Sequence, residues 1–590
     1  MIKMGVRKSL ITSMSIVAGA SLLVVGCGNS TSASTNAANN GAGNATSVAQ
    51  TPTKGGTINY ALPPQTQLNW YLPLMTPAAD SVYNSQLIDQ MYKPLIWIDQ
   101  NYKIDYGSSI ASKITYNSQG TVYHVFLNPK WTWSDGTPVT AKDVLFTWKL
   151  IKGASANNAP KPWPYVGQGT GYIPNGIKSV VATSKDEVTI TLTKPANQQW
   201  FIYNGIIQLT PLPEHAMNKY PTDLTKELTY LGTNANNAKF IENSPVDGAF
   251  KLQSATRSQS WVLVPNKNYA GHKSLLNKLI FDYEASESAE FAAVKAGNID
   301  VGYLPPSMMG SKQALTSAGD TVTPGYPFGI FWTEMNMWPG SPTKKVFDLP
   351  YVREAMQMSI PNSEIASKIY HGTATPIFGP IPSVPKTKFF DSNLKNPYPY
   401  NPTKAKQLLE QNGWKEVNGV MTKGNEKLEF RMIYVSGQTA TTDVAELMQQ
   451  EWGKLGIKVS LKSMPFSTFL GVTSNKKDYS WGLAYGSGWD YNGPGFYPTG
   501  GQLFSSTAPS GTGFSNATED SLIQATHKPY ATSQENMKHF FAYEDYTAKI
   551  LPFLWDNNVA TLFVTSPKVH GVISHLNPAT AFPRMQYWWK

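Results

Sequence analysis

One cysteine stands in 590 residues. That excludes a disulfide framework and any metal site built on a CxxC pair within the chain. Charge is sparse too, with Lys, Arg, Asp and Glu making up 15% of the residues. The 49 basic and 39 acidic residues leave a formal net charge of +10. It is spread without blocks of like sign, which gives a weak case for nucleic acid. Gly 46 and Pro 42 are too few for a collagenous or low-complexity chain. No GxxxxGK(S/T) phosphate loop and no GxSxG nucleophile elbow occurs. The eight histidines are scattered; His570 and His575 are five apart with Gly571 between, not the spacing of a zinc helix. Gly167-Gln-Gly169-Thr-Gly171 has the look of a nucleotide loop. It lacks a preceding apolar strand, and Pro174 and Gly176 prevent a following helix, so a surface loop is expected. Acid pairs such as Glu544-Asp545 fall on polar helix faces as solvated charge. No catalytic constellation declares itself. A glycosidase needs only two carboxylates brought together by the fold, so an exported hydrolase stays open as a reading.

Aromatic residues are abundant: 12% of the chain, with Tyr 30 and Trp 17, within a hydrophobic fraction of 41%. Such a chain is not disordered, and it offers many flat, amphipathic surfaces to a ligand. Its length allows roughly four domains of about 150 residues, or fewer large ones. The N-terminus reads as an export signal. Lys3, Arg7 and Lys8 precede an apolar stretch from Leu10 to Val25, too short and too rich in small residues for a membrane span. It ends in Val24-Val25-Gly26-Cys27, which resembles a bacterial lipobox, with Cys27 as the lipid attachment site. The alternative is a plain signal peptide with an incidental cysteine. Residues 27–54, almost wholly Ser, Thr, Asn, Ala and Gly, read as a flexible tether. No later stretch is long and apolar enough to span a bilayer. The expectation is an exported chain, lipid-anchored to the outer face of the cell membrane, or periplasmic if the cell has an outer membrane.

From Gly55 onward short strands and amphipathic helices mix without a fixed repeat. Thr121 to Leu127 reads as a strand, Asp135-Gly136 as a turn, and Thr140 as the cap of a helix through Ile151, with Asp143 as its capping-box acid. Ser286 or Ser288 opens a helix that stops at Gly297. Asn401-Pro402 opens another, ended by Gly413. Leu428 to Tyr434 alternates as a strand. Val444, Leu447, Met448, Trp452 and Leu455 follow at helical spacing, Gly456 closes the helix, and Ile457 to Leu461 alternates again. That is a βαβ unit, with a right-handed crossover expected, and it argues for the α/β class.

Lys130-Trp-Thr-Trp-Ser-Asp-Gly-Thr-Pro-Val-Thr-Ala-Lys-Asp-Val-Leu-Phe-Thr-Trp148 closely resembles the signature of bacterial extracellular solute-binding proteins, family 5, the peptide- and nickel-type receptors of ABC importers. Its physical content is a tight turn and a helix cap, so it is architectural. Further matches follow in the family's order: Leu212 to His215, Asp247 to Phe250, Val264 to Tyr269, Phe291 to Val301, Val352 to Ala355 and Asn401 to Leu409.

The resemblance implies a two-lobed periplasmic-binding-protein fold, with hinge crossover strands and an extra subdomain inserted in lobe one. On this chain, residues 1–26 would be the lipoprotein signal peptide and 27–54 the tether. Lobe one would take 55–79, 177–283 and 560–590, the insert 80–176, and lobe two 284–559. It also implies a non-enzymatic receptor that captures di- to oligopeptides in the interlobe cleft and delivers them to an ABC permease and its ATPase. Family peptide receptors often carry Trp-x-x-Asp-Tyr in lobe two, whose aspartate pairs with the ligand's amino group. Here Trp489 and Asp490 are adjacent, followed by Tyr491, so the spacing departs from the pattern and a turn role for Asp490 stays open. Trp481, Tyr485, Trp332, Asn336 and Tyr60 are further cleft candidates, each with core packing as the alternative. No cofactor, metal or nucleic acid is expected, and the chain is expected to be a monomer. Oligosaccharide, for which Trp and Tyr would provide stacking platforms, and nickel chelate are the alternative ligands.

Overall fold

The structure, a computed structural model, describes residues 51–508, 511–577 and 582–590. The expected export signal, Cys27 and nearly all of the expected tether lie outside the described residues. Two sheets organise the rest. The first has seven strands, in the order Thr321–Gly325, Thr561–Thr565, Val301–Tyr303, Thr57–Ala61, Lys278–Asp282, Ser260–Pro265 and Phe250–Thr256. Thr57–Ala61 sits near its middle, parallel to both neighbours, with Ile58 and Tyr60 fully buried. Alternation puts these two side chains on one face of the strand, where Trp261 and Phe281 share their apolar core.

The second sheet has five strands, in the order Lys458–Met464, Glu429–Val435, Leu483–Asp490, Gly329–Met335 and Leu554–Trp555. Glu429–Val435 and Lys458–Met464 run parallel, joined by the Thr439–Lys454 helix. This is the βαβ unit that the sequence periodicity describes. Val444, Met448 and Trp452 bury one helical face, and the Trp452 indole N–H donates to the Met356 carbonyl at 3.1 Å. Gly456 takes φ 79°, which lets the chain turn back into the next strand.

A smaller antiparallel sheet of four strands pairs Ala111–Tyr116, Val122–Leu127, Glu187–Leu192 and Ile177–Ser184. The Ala141–Ala154 helix packs on it. Its Thr140–Asp143 capping box is present, and Asp143 also accepts from the Glu214 N–H at 3.0 Å. The Asp135 turn is closed in the same region: His215 Nε2 lies 2.7 Å from its Oδ2, and Gly136 adopts φ 93°. These contacts tie together two of the signature segments and give them a structural role.

The pairing redraws two expected boundaries. Ile177–Ser184 and Glu187–Leu192 complete the sheet begun by Ala111–Tyr116, so the insert does not end at residue 176. Val301–Tyr303 and Thr321–Gly325 belong to the seven-stranded sheet, so lobe two does not begin at residue 284. Their partners are remote in sequence, and Val301–Tyr303 has only three residues, too few to show a period. The chain therefore leaves the first sheet after Gly325 and enters the second at Gly329, and it returns between Trp555 and Thr561. Gly325 and Thr561 face each other at these crossings. The Gly167–Gly171 segment is a loop whose tip at Gly169 is exposed while its two ends are buried. Gly171 lies against the Asn204 backbone, where a Cβ would meet Asn204 O at 2.2 Å.

Candidate ligand-binding cleft

A cavity of about 500 Å³ opens where the chain crosses between the two sheets. That is within the range of small-molecule sites. One wall is the Val82–Met91 helix, whose first turn is fixed by Ser81 Oγ accepting from the Asn84 N–H at 3.1 Å. Leu87, Ile88 and Met91 bury one face of that helix, while Asp80, Tyr83 and Asp89 reach the cavity half-buried. The opposite wall is the end of the Leu483–Asp490 strand. The crossing segments supply the floor, with Pro327, Asp556 and Asn557.

Three of the residues singled out from the sequence line this cavity: Tyr485, Trp489 and Asp490. Asp490 ends its strand opposite Gly329 and so is not a turn residue. A Cβ on Gly329 would stand 2.4 Å from Asp490 Oδ1, so the glycine makes the room for the carboxyl. Burial pushes the Asp490 carboxyl up to about 6, and Tyr83 and Tyr102 lie within reach of its charge. Tyr485 is buried, with its hydroxyl 3.4 Å from that of Tyr370.

The other five stand away from the cavity. The Tyr491 hydroxyl donates to the Pro380 carbonyl. Trp481 packs in an apolar cluster with Ile433, Met464 and Phe469. Trp332 stacks on Phe553 at 4.6 Å, and Phe331, its neighbour on the opposite face of the strand, lines the cavity instead. Asn336 donates to the carbonyls of Asp478 and Trp481 at 3.0 and 3.2 Å, bracing a turn. Tyr60 lies one layer behind the wall, its hydroxyl 2.7 Å from that of Tyr303, which does line the cavity.

Sequence reasoning missed most of the wall's acids. Burial pushes Asp80 and Asp89 each up to about 7; for Asp89 the Lys93 charge opposes the effect. Asp556 is raised to about 8 by burial, against a 3.0 Å hydrogen bond from Thr333 Oγ1. Glu290 is held well above the usual carboxylate range by burial, although its Oε1 accepts from the Tyr303 N–H at 3.0 Å. Glu287 Oε2 accepts from the Thr439 N–H at 3.0 Å and from Ser307 Oγ at 3.2 Å. None of these acids sits in a motif; only the fold brings them together. Among the described residues, no three His, Cys, Asp or Glu side chains are placed to hold a metal ion.

Two α/β lobes sharing a ligand-sized cavity at their crossings define a two-lobed binding protein of the periplasmic type. A model described as "Bacterial extracellular solute-binding proteins, family 5 Middle" matches residues 106–506, and the chain belongs to that family. The oligopeptide-binding protein AppA of Bacillus subtilis (strain 168) is 24% identical over 396 residues, spanning 66% of each chain. The oligopeptide-binding protein OppA of Lactococcus lactis subsp. cremoris (strain SK11) is 25% identical over 454 residues, 72% of each. Among solved structures, Bacillus subtilis AppA in complex with a nonapeptide superposes with a TM-score of 0.77 at 19% identity, over 91% of this chain and 99% of that one. NikZ from Campylobacter jejuni, in complex with Ni(L-His), reaches 0.72 at 19% identity, over 90% and 99%. The two-lobed fold is thus common to neighbours with different ligands.

Proposed function

We propose that this chain is the substrate-binding receptor of an ABC importer, capturing peptides between its lobes and delivering them to a membrane permease driven by an ATPase. The observation that carries the reading is the cavity itself, walled by both lobes and lined by Trp489 and Asp490. The oligopeptide-binding relatives support a peptide as ligand. In this reading the Asp490 carboxyl takes the ligand's ammonium, and Trp489 and Tyr485 offer faces to its side chains. The protein binds and releases without turnover. Native mass spectrometry of the freshly purified chain tests this. A carried-over mass that fragments as peptide is expected; a bare chain that also cleaves added peptides would overturn it.

Cys27 is the proposed lipid attachment site, tethering a monomeric receptor to the outer face of the membrane. Cys27→Ser is expected to release the chain from membranes washed in high salt, the wash removing any electrostatic adhesion. Quantitative retention of the variant would contradict the anchor.

A further inference from the structure

The cavity wall carries six carboxylic acids: Asp80, Asp89, Glu287, Glu290, Asp490 and Asp556. Among the described residues, no Lys, Arg or His reaches it. This inverts the sign of the chain, where 49 basic residues face 39 acidic ones. Two cations stand behind the wall and are kept from it. Lys93 has its ammonium 5.0 Å over the Trp131 ring and 5.7 Å over that of Trp97, and Trp97 itself lines the cavity. Arg584 pairs with Asp105 at 3.4 Å.

The acids are distributed along the cavity. Tyr83 feels the charges of Asp490 and Glu290, Tyr370 those of Asp556 and Glu287, and Tyr165 that of Asp80. All three tyrosines line the wall, so aromatic faces stand among the carboxyl groups. The polar capacity of the wall is unfilled. Asp556 is only 3% exposed, and its Oδ1 has no donor. The adjoining Asn557, also 3% exposed, likewise has an Oδ1 without a donor. Among the described residues, no hydrogen bond or ion pair reaches the Asp80 or Asp490 carboxyl; burial alone acts on them.

Acceptors withdrawn from water and left unpaired are costly, and an entering cation relieves that cost. Aromatic faces attract the same cations. Burial holds several of these acids back from ionising. An entering cation favours their charged form, whereas an entering anion finds no Lys, Arg or His on the wall to pair with. We propose that the cleft selects polycationic peptides, rich in Lys or Arg, and gives a ligand's terminal carboxylate no fixed cationic partner. This rests on the peptide-receptor reading above and narrows it.

The test is calorimetric titration of the ligand-stripped full chain with four probes: Lys-Ala-Lys-Ala-Lys, penta-alanine, Glu-Ala-Glu-Ala-Glu and spermidine. The lysine peptide is expected to bind at least about tenfold tighter than penta-alanine, and the glutamate peptide not at all. Amidating the lysine peptide's C-terminus should preserve or tighten its binding. Asp80→Asn with Asp556→Asn should reduce the ratio of lysine- to alanine-peptide affinity. Equal affinities for the lysine and alanine peptides, or a preference for the glutamate peptide, would overturn the charge selection while leaving a peptide receptor standing. Loss of binding on amidation would also overturn it, by revealing a carboxylate anchor. Spermidine binding with no peptide bound would support charge selection and overturn the peptide reading. No binding of any probe would overturn both.

Discussion

Asp490 shows how one position is made functional by its neighbours. Its carboxyl fits because residue 329 has no side chain, and it stays unpaired because Tyr83 and Tyr102 flank it instead of a base. An ammonium entering the cleft leaves water and needs such a partner. Asp490→Ala is therefore expected to weaken binding of a peptide with a free amino terminus by about 2–5 kcal/mol. The loss should largely disappear for the N-acetylated peptide, which brings no charge. Equal losses for the two peptides would contradict the pairing. The pH dependence has a definite sign. With its pKa raised to about 6, Asp490 is charged above that pH and neutral below it. Affinity for the free-amine peptide should therefore fall from pH 7 to pH 5, and the fall should be smaller in Asp490→Ala. The Trp-Asp-Tyr run made Asp490 legible in the sequence. Trp332 and Asn336 misled because facing depends on strand register, here shifted by a bulge between Trp332 and Thr333.

Elements with local signals were readable, and elements defined by remote partners were not. The capping box at Thr140 and the βαβ unit around Trp452 follow from spacing within about thirty residues, and both are present. The strand Val301–Tyr303 is defined by pairing with Tyr60 and with Thr561–Thr565, which no local pattern announces. The cleft acids share this problem, since they come from two helices and their flanks, a strand end and a crossing. Asp143 offers an element-scale test, because one carboxylate joins the Thr140 cap to the segment after Leu212. Its Oδ2 accepts from the Thr140 N–H at 2.8 Å and its Oδ1 from the Glu214 N–H at 3.0 Å. Asp143→Ala should cost about 1–3 kcal/mol, a cap plus one orphaned N–H. Urea unfolding followed by tryptophan fluorescence would report it, and an unchanged midpoint would contradict the linking role.

For the whole molecule, the two sheets are linked by the segments after Gly325 and before Thr561, which meet in the first sheet as the paired Thr321–Gly325 and Thr561–Thr565 strands. Such a pair of crossings permits hinge motion, and the cleft at the hinge gives a ligand contacts on both sides. A ligand that touches both lobes favours the closed arrangement by its differential contacts there. The acidic floor at Asp556 lies within the returning crossing, so ligand charge and hinge position meet in one segment. Capture between closing lobes is the central claim, and small-angle X-ray scattering of the chain with and without a saturating basic peptide tests it most directly. The account predicts a smaller radius of gyration in the saturated sample; an unchanged radius with binding confirmed by calorimetry would contradict it.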